Sequence, residues 1–187
     1  MKLKRAFYAQ PCLEVATALI GKYLVHRIGR RQLCGRIVET EAYIGQEDQA
    51  CHARFGATKR ARVLFGPPGH AYVFLIYGMY DCFNVVCEAE GRPAAVLVRA
   101  VEPGPGVEGK TDGPGKLCRA MHLSRAHNQL DLTTGHVWIE DRGEPAPRIA
   151  ATPRIGVDYA GEWADKPWRL VDATSTRLSR KLSAAPG

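Results

Sequence analysis

The chain predicts a single domain of mixed helix and strand, in which strands dominate. Three observations carry that reading. With 187 residues and 45% apolar content it can bury one core of ordinary size, and no low-complexity linker divides it. Several apolar runs read as strands, and two short stretches, Pro11 to Ile20 and the one opened by Gly113-Pro114-Gly115-Lys116, read as helices. Between Gly66 and Val86, two apolar runs, His70 to Ile76 and Cys82 to Val86, flank Tyr77-Gly78-Met79-Tyr80-Asp81, and a Pro-Pro-Gly turn launches the first of them. That pattern reads as a β-hairpin with Gly78 free to take a positive φ at its tip.

The other elements follow in order. Pro11 to Ile20 carries Pro at a first-turn position, apolar residues at Leu13, Ala16, Leu19 and Ile20, and Gly21 just beyond, which reads as a short amphipathic helix. Lys22 to Ile28 and Gln32 to Tyr43 read as strands joined at Gly29-Arg30-Arg31. From Gly45 to Phe65 the chain turns polar and then basic, a loop with short helical turns. Ala94 to Val101 reads as a buried strand, and Glu102 to Asp112 as a flexible loop. Gly113-Pro114-Gly115-Lys116 opens a further helix, whose free amides, with Lys116 and Arg119, suit a phosphate. Val137 to Glu140 and Arg148 to Ala151 read as strands, and residues 153–170 close the fold. The tail from 172 to 187, Ser/Ala-rich and basic, is expected to be disordered outside a domain of residues 1–171.

Composition narrows the function. Twenty-six Lys and Arg against 19 Asp and Glu give a net charge of +7, which suits a polyanionic partner. Met1-Lys2-Leu3-Lys4-Arg5 starts like a signal peptide, but Gln10 and Pro11 interrupt before an apolar region forms, so a cytoplasmic protein is expected. The six cysteines lack a Cys-x-x-Cys pair and read as small buried hydrophobes. The histidines lack close spacing with each other or with cysteine, so no metal is expected. The glycine-rich turn before Lys116 lacks the Walker spacing, which excludes nucleoside triphosphate chemistry.

Chemistry first shows at Glu39, Glu41 and Tyr43. Strand alternation puts all three on one side, and an acid beside an aromatic is what hydrolysis at a flat, stacked substrate needs. Spacing alone leaves Glu39 and Glu41 equal as candidates, and leaves open a merely solvent-facing stripe. Arg99 sits in an otherwise apolar strand and must find a partner, for which Glu41 is the obvious carboxylate. Lys59, Arg60 and Arg62 form a short cationic cluster suited to phosphates or to a solvated face.

Four motifs in order, Arg36-Ile-Val-Glu-Thr-Glu-Ala-Tyr43, Gly66-Pro-Pro-Gly-His-Ala-Tyr-Val-Phe-Leu-Ile-Tyr-Gly-Met-Tyr80, Gly113-Pro-Gly-Lys-Leu-Cys118 and Arg154-Ile-Gly-Val157, resemble the alkyladenine (3-methyladenine) DNA glycosylase family. The resemblance covers roughly residues 9–171. It implies an α+β domain, a curved antiparallel sheet with flanking helices and a protruding hairpin. It also implies excision of alkylated or deaminated purines, such as 3-methyladenine, 7-methylguanine, hypoxanthine and ethenoadenine, from duplex DNA. Carried over by motif, Glu41 is the general base, Arg99 helps hold the water, and the Ile155 position supplies a carbonyl facing it. Tyr43, His52 and Phe74 wall the base pocket, Phe74 standing where many relatives have tyrosine, and Asn84 crowds the amine of normal guanine. Tyr77 intercalates, with Met79 beside it, while Lys59, Arg60, Arg62 and Lys116 are the expected DNA contacts. No cofactor and no metal are implied. The absence of lysine from the pocket motifs implies a monofunctional enzyme that leaves an abasic site, and a duplex footprint suits a monomer. Two other readings fit the residues: a DNA-binding module that inserts Tyr77 without cutting, and a small-molecule glycoside or nucleoside hydrolase that pairs Glu39 with Glu41.

Overall fold

One long strand organises the molecule. In the computed structural model, which describes residues 1–182, β2 runs Arg31–Ile44 through the middle of an eight-stranded sheet. The other strands are β1 (Tyr23–Ile28), β3 (Ala71–Ile76), β4 (Tyr80–Val86), β5 (Ala94–Pro103), β6 (Val137–Glu140), β7 (Ile149–Thr152) and β8 (Arg169–Asp172). All pairings are antiparallel, in the order β3-β4-β5-β2-β1-β6, with β8 joining β2 to β7. Helices are short: α1 (Arg5–Tyr8), α2 (Cys12–Leu19) and α3 (Pro114–Ala120). The α+β architecture with a curled antiparallel sheet agrees with the sequence expectation.

β2 has two partners on one edge. β5 pairs with it from Gly35 to Ile44, so β1, at Arg31 to Arg36, and β8, at Glu39 to Glu41, share the opposite edge. The register with β5 slips between Ile37 and Glu39, a bulge that bends the strand as it passes from β1 to β8. Helix α2 covers one face there: Val15, Ala16 and Leu19 are buried, and Thr40 Oγ1 donates to Ala16 O at 2.9 Å. Alternation sends Glu39 and Glu41 to the other face.

The core follows from the apolar runs. Leu19, Leu24, Ile37, Phe83, Val96, Val98, Met121 and Leu132 belong to one buried cluster, and all six cysteines are buried and free. β5 reads as a continuous apolar run because both of its faces are covered, Arg99 included. No helix among the described residues is long and apolar enough to cross a membrane.

Two expectations are corrected. β8 was not separated from the closing segment, although its pairing with Glu39 to Glu41 is what covers the free edge of β2. The tail is not disordered from residue 172 onward: Leu178 is buried beside Val38, Ala100 and Val171, and Ser179 hydrogen-bonds to Glu39. Ser/Ala-rich composition conceals a segment held by one apolar and one polar anchor. Residues 183–187 of that expectation lie outside the described residues.

Candidate active site

Glu39, Glu41 and Arg99 meet in the middle of the sheet. The sequence reading left a solvent-facing stripe open; the structure instead buries both carboxylates completely. Arg99 links them, its Nε donating to Glu39 Oε1 and its Nη1 to Glu41 Oε2, each at 3.2 Å. Burial works against the arginine's charge, but Glu41 and Glu39 outweigh it and hold its pKa above the usual value.

The two carboxylates differ in what remains free. Glu39 Oε1 accepts from Arg99 Nε, Arg169 Nε at 2.6 Å and Ser179 Oγ at 2.6 Å, and Oε2 accepts from the Ser179 amide at 2.6 Å. Four donors thus converge on Glu39, three of them on Oε1. Glu41 accepts three donors: Tyr43 hydroxyl at 2.8 Å, Arg99, and the Ile155 amide on Oε1 at 2.8 Å. One acceptor position is left on Oε1. Burial, and then the Glu41 charge, push the Tyr43 phenol well above its ordinary pKa, so it stays a proton donor. Ile155 meets Glu41 through its N–H, which is separate from the carbonyl expected to face the water.

Behind this floor lies a second buried pair. Arg154 and Asp48 form a bidentate bridge at 2.6 and 2.8 Å with both side chains fully buried. The guanidinium lies over the Tyr43 ring at 4.8 Å, and its Nη1 donates to Ala42 O at 2.9 Å. The bridge fixes the residue before Ile155 and so aims the amide that meets Glu41.

Above the floor opens a cavity of about 410 Å³ whose lining includes Tyr43, His52, Phe74, Asn84, Arg99 and Ile155. His52 stands edge-on to Phe74, with centroids 4.6 Å apart, and its Nδ1 lies 2.8 Å from the Tyr72 hydroxyl. Tyr72 supplies a phenol beside the ring that Phe74 lacks. Burial, with Arg60 and Arg54 nearby, lowers the His52 pKa to about 4, so the imidazole is neutral at physiological pH. Asn84 commits both amide protons to backbone, to Tyr72 O at 3.0 Å and Cys82 O at 3.2 Å, and among the described residues its carbonyl oxygen has no hydrogen-bond partner.

At the mouth stands the β3–β4 hairpin. Tyr77 (φ 52) and Gly78 (φ 69) both occupy the left-handed region, and the Met79 amide closes the turn on Ile76 O at 3.2 Å. Tyr77 is 79% exposed and Met79 65%. Tyr80 lies flat on the start of α3, where a Cβ at Gly115 would come within 2.8 Å of its ring.

The cations are less uniform than their spacing implied. Lys59, Arg60 and Arg62 are all exposed, but Arg60 also stacks on Phe74 at 4.9 Å and donates to Leu75 O at 2.7 Å, buttressing the pocket wall. Lys116 does line the cavity, correcting the expectation of a lysine-free pocket, and its Nζ lies 3.4 Å from Asp112 Oδ1. Sequence reasoning missed Tyr72, Arg154, Asp48, Arg169 and Ser179. Arg154 and Tyr72 had left a signal, each within its motif.

Fold and site together define an α+β protein that holds a carboxylate–arginine centre beneath an aromatic cavity, with an aromatic hairpin standing at its entrance. Residues 6–176 match the family model described as methylpurine-DNA glycosylase. Relatives each provisionally named 3-methyladenine DNA glycosylase include one from Methanocella arvoryzae, 51% identical over 202 residues that cover 99% of this chain and 98% of the relative. Another, from Anaeromyxobacter sp., is 53% identical over 188 residues covering 100% and 95%, and one from Myxococcus xanthus is 54% identical over 185 residues covering 95% and 93%. The chain belongs to the methylpurine-DNA glycosylase family, whose members act on DNA in the repair of alkylated bases.

Proposed function

We propose that the protein flips 3-methyladenine, 7-methylguanine, hypoxanthine or ethenoadenine out of duplex DNA and hydrolyses the N-glycosidic bond with a water activated by Glu41. A base inside the stack cannot present its sugar bond, so extrusion must come first; it costs a few kcal/mol, least for damaged bases. Tyr77, rigidly based and exposed, takes the place of the extruded nucleotide, with Met79 beside it. Lys59, Arg62 and Lys116 neutralise flanking phosphates.

The extruded purine stacks among Tyr43, His52 and Phe74, and a neutral His52 adds no charge to repel a cationic alkylated base. Asn84 narrows the pocket against the exocyclic amine of guanine. Water takes the acceptor position left on Glu41 Oε1, while Arg99 and the Ile155 amide hold the carboxylate in place. Glu41 removes a proton from that water as positive charge develops on the sugar, which the carboxylate also stabilises. Lys116 Nζ is turned toward Asp112, 3.4 Å from its Oδ1, and not toward Glu41; the product is an intact abasic site, and borohydride should trap no covalent complex. The protein acts as a monomer.

The difference between the two carboxylates supports this reading over a paired-carboxylate hydrolase: the donors to Glu41 come from Tyr43, Arg99 and Ile155, which all line the cavity, whereas Arg169 and Ser179, which hold Glu39, do not. The test is single-turnover release of hypoxanthine from a duplex. Glu41→Gln should bind the duplex as wild type does and lose about 10²- to 10⁴-fold in excision. Equal excision by both would remove Glu41 from the chemistry; tight binding with no excision by either would mark a non-catalytic module.

A further inference from the structure

Three histidines that are far apart in sequence converge on the other flank of the sheet. His26 lies on β1, His136 leads directly into β6, whose Val137 pairs with His26, and His127 ends the turn Arg125–His127. Ring centroids are 4.8 Å apart for His26 and His127 and 5.5 Å for each of the other two pairs. One nitrogen from each ring lies within 4.8 Å of the others.

We propose that His26, His127 and His136 bind a divalent transition-metal ion of the zinc class. The outer nitrogens are already engaged by backbone. His26 Nδ1 lies 2.7 Å from Met121 O, and His127 Nδ1 either accepts from the Ser124 amide at 3.1 Å or, in the tautomer that frees Nε2 for a metal, donates to Ser124 O at 3.2 Å. That leaves Nε2 as the coordinating atom of each, and a backbone carbonyl behind a ligating imidazole is the usual way such a ring is oriented. Among the described residues no carboxylate or thiol joins the cluster. An all-imidazole donor set favours zinc, nickel, cobalt or copper(II) and offers little to magnesium or calcium, which take oxygen ligands.

Tetrahedral zinc, with Zn–N of about 2.1 Å, sets its nitrogens ~3.4 Å apart. Closing from 4.8 Å falls to His136, whose side chain is exposed and free to turn inward. Its exposure also leaves the fourth coordination position open to solvent. The site would tie the β1–β6 edge to the segment after His127, where Asn128 Oδ1 accepts from the Val73 amide at 3.0 Å and Gln129 N donates to Ala71 O at 2.8 Å. β3, thus supported, carries Tyr72 and Phe74 of the cavity wall.

The experiment is calorimetric titration of chelator-stripped full-length protein with zinc, nickel or cobalt chloride in a non-coordinating buffer, with the thermal midpoint and the cobalt visible spectrum as parallel readouts. Wild type should take up one equivalent, gain thermal stability, show cobalt absorption and ignore magnesium. His136→Ala and His127→Ala, both outside the core, should each weaken binding by about tenfold or more. Absence of binding by wild type overturns the proposal. So does wild-type affinity in both variants, because the ligands would then lie outside this cluster. None of these readouts depends on excision, so failure here leaves the proposed activity standing.

Discussion

The floor of the cavity and the hairpin above it are built on opposite principles. At the floor, Glu39, Glu41, Arg99 and Arg169 are buried and locked by hydrogen bonds from different elements. At the tip, Tyr77 and Met79 are mostly exposed. The floor is preorganised for charge, since it requires no rearrangement when charge develops. The tip is an apolar surface awaiting a partner. Chemistry and recognition are thus energetically separable: one region is bound up with folding, and the other can be altered without disturbing it.

The severest break in that contrast is Arg99→Met. It leaves Glu41 buried without its cation, and should cost about 3–5 kcal/mol of stability by chemical denaturation together with excision. Tyr77→Ala should do the reverse. Loss of one stacking platform predicts about 1–3 kcal/mol weaker commitment to lesion-bearing duplex, read from single-turnover half-saturation, with a melting midpoint no lower than wild type. Were Tyr77→Ala to lower that midpoint markedly, the separation would fail. Ser179→Ala probes the edge of the floor: it removes one of two Ser179 donors to Glu39 and should lower stability by about 1 kcal/mol, with the loss recovered by Ser179→Thr.

An effect confined to acid belongs to His52, which stands between the two regions. Burial, with Arg60 and Arg54, lowers its pKa from 6.5 to about 4 in the folded protein. The unfolded chain therefore binds the proton first as pH falls, so this contribution is intact above 6.5 and is lost progressively down to about 4. A thermal-shift series should show a decline of a few degrees across that window. His52→Phe should reduce it, leaving the share of His26 and His127, whose burial also lowers their pKa values.

Legibility of the sequence tracked distance along the chain. The hairpin, the alternation of Glu39, Glu41 and Tyr43, and the need of Arg99 for a carboxylate are short-range or single-strand statements, and each appears in the structure. Arg169 and Ser179 reach Glu39 across 130 and 140 residues, and Arg154 reaches Asp48 across 106. No periodicity links such positions. Ser179 was further hidden by a composition that reads as solvated tail, although two hydrogen bonds and one buried leucine suffice to order it. The choice between Glu39 and Glu41 was equally out of reach, because alternation places both on one face and only their partners tell them apart.

The positive φ of Tyr77 has an implication for how this protein can change over time. A bulky residue held in the left-handed region costs of order 1 kcal/mol that glycine or asparagine would not incur. Heat resistance, selected alone, would therefore erode the wedge early, because its replacement by either residue relieves strain and removes exposed apolar surface at once. Persistence of a tyrosine there through a laboratory lineage would report that damaged DNA, rather than thermal tolerance, was still setting the terms of selection.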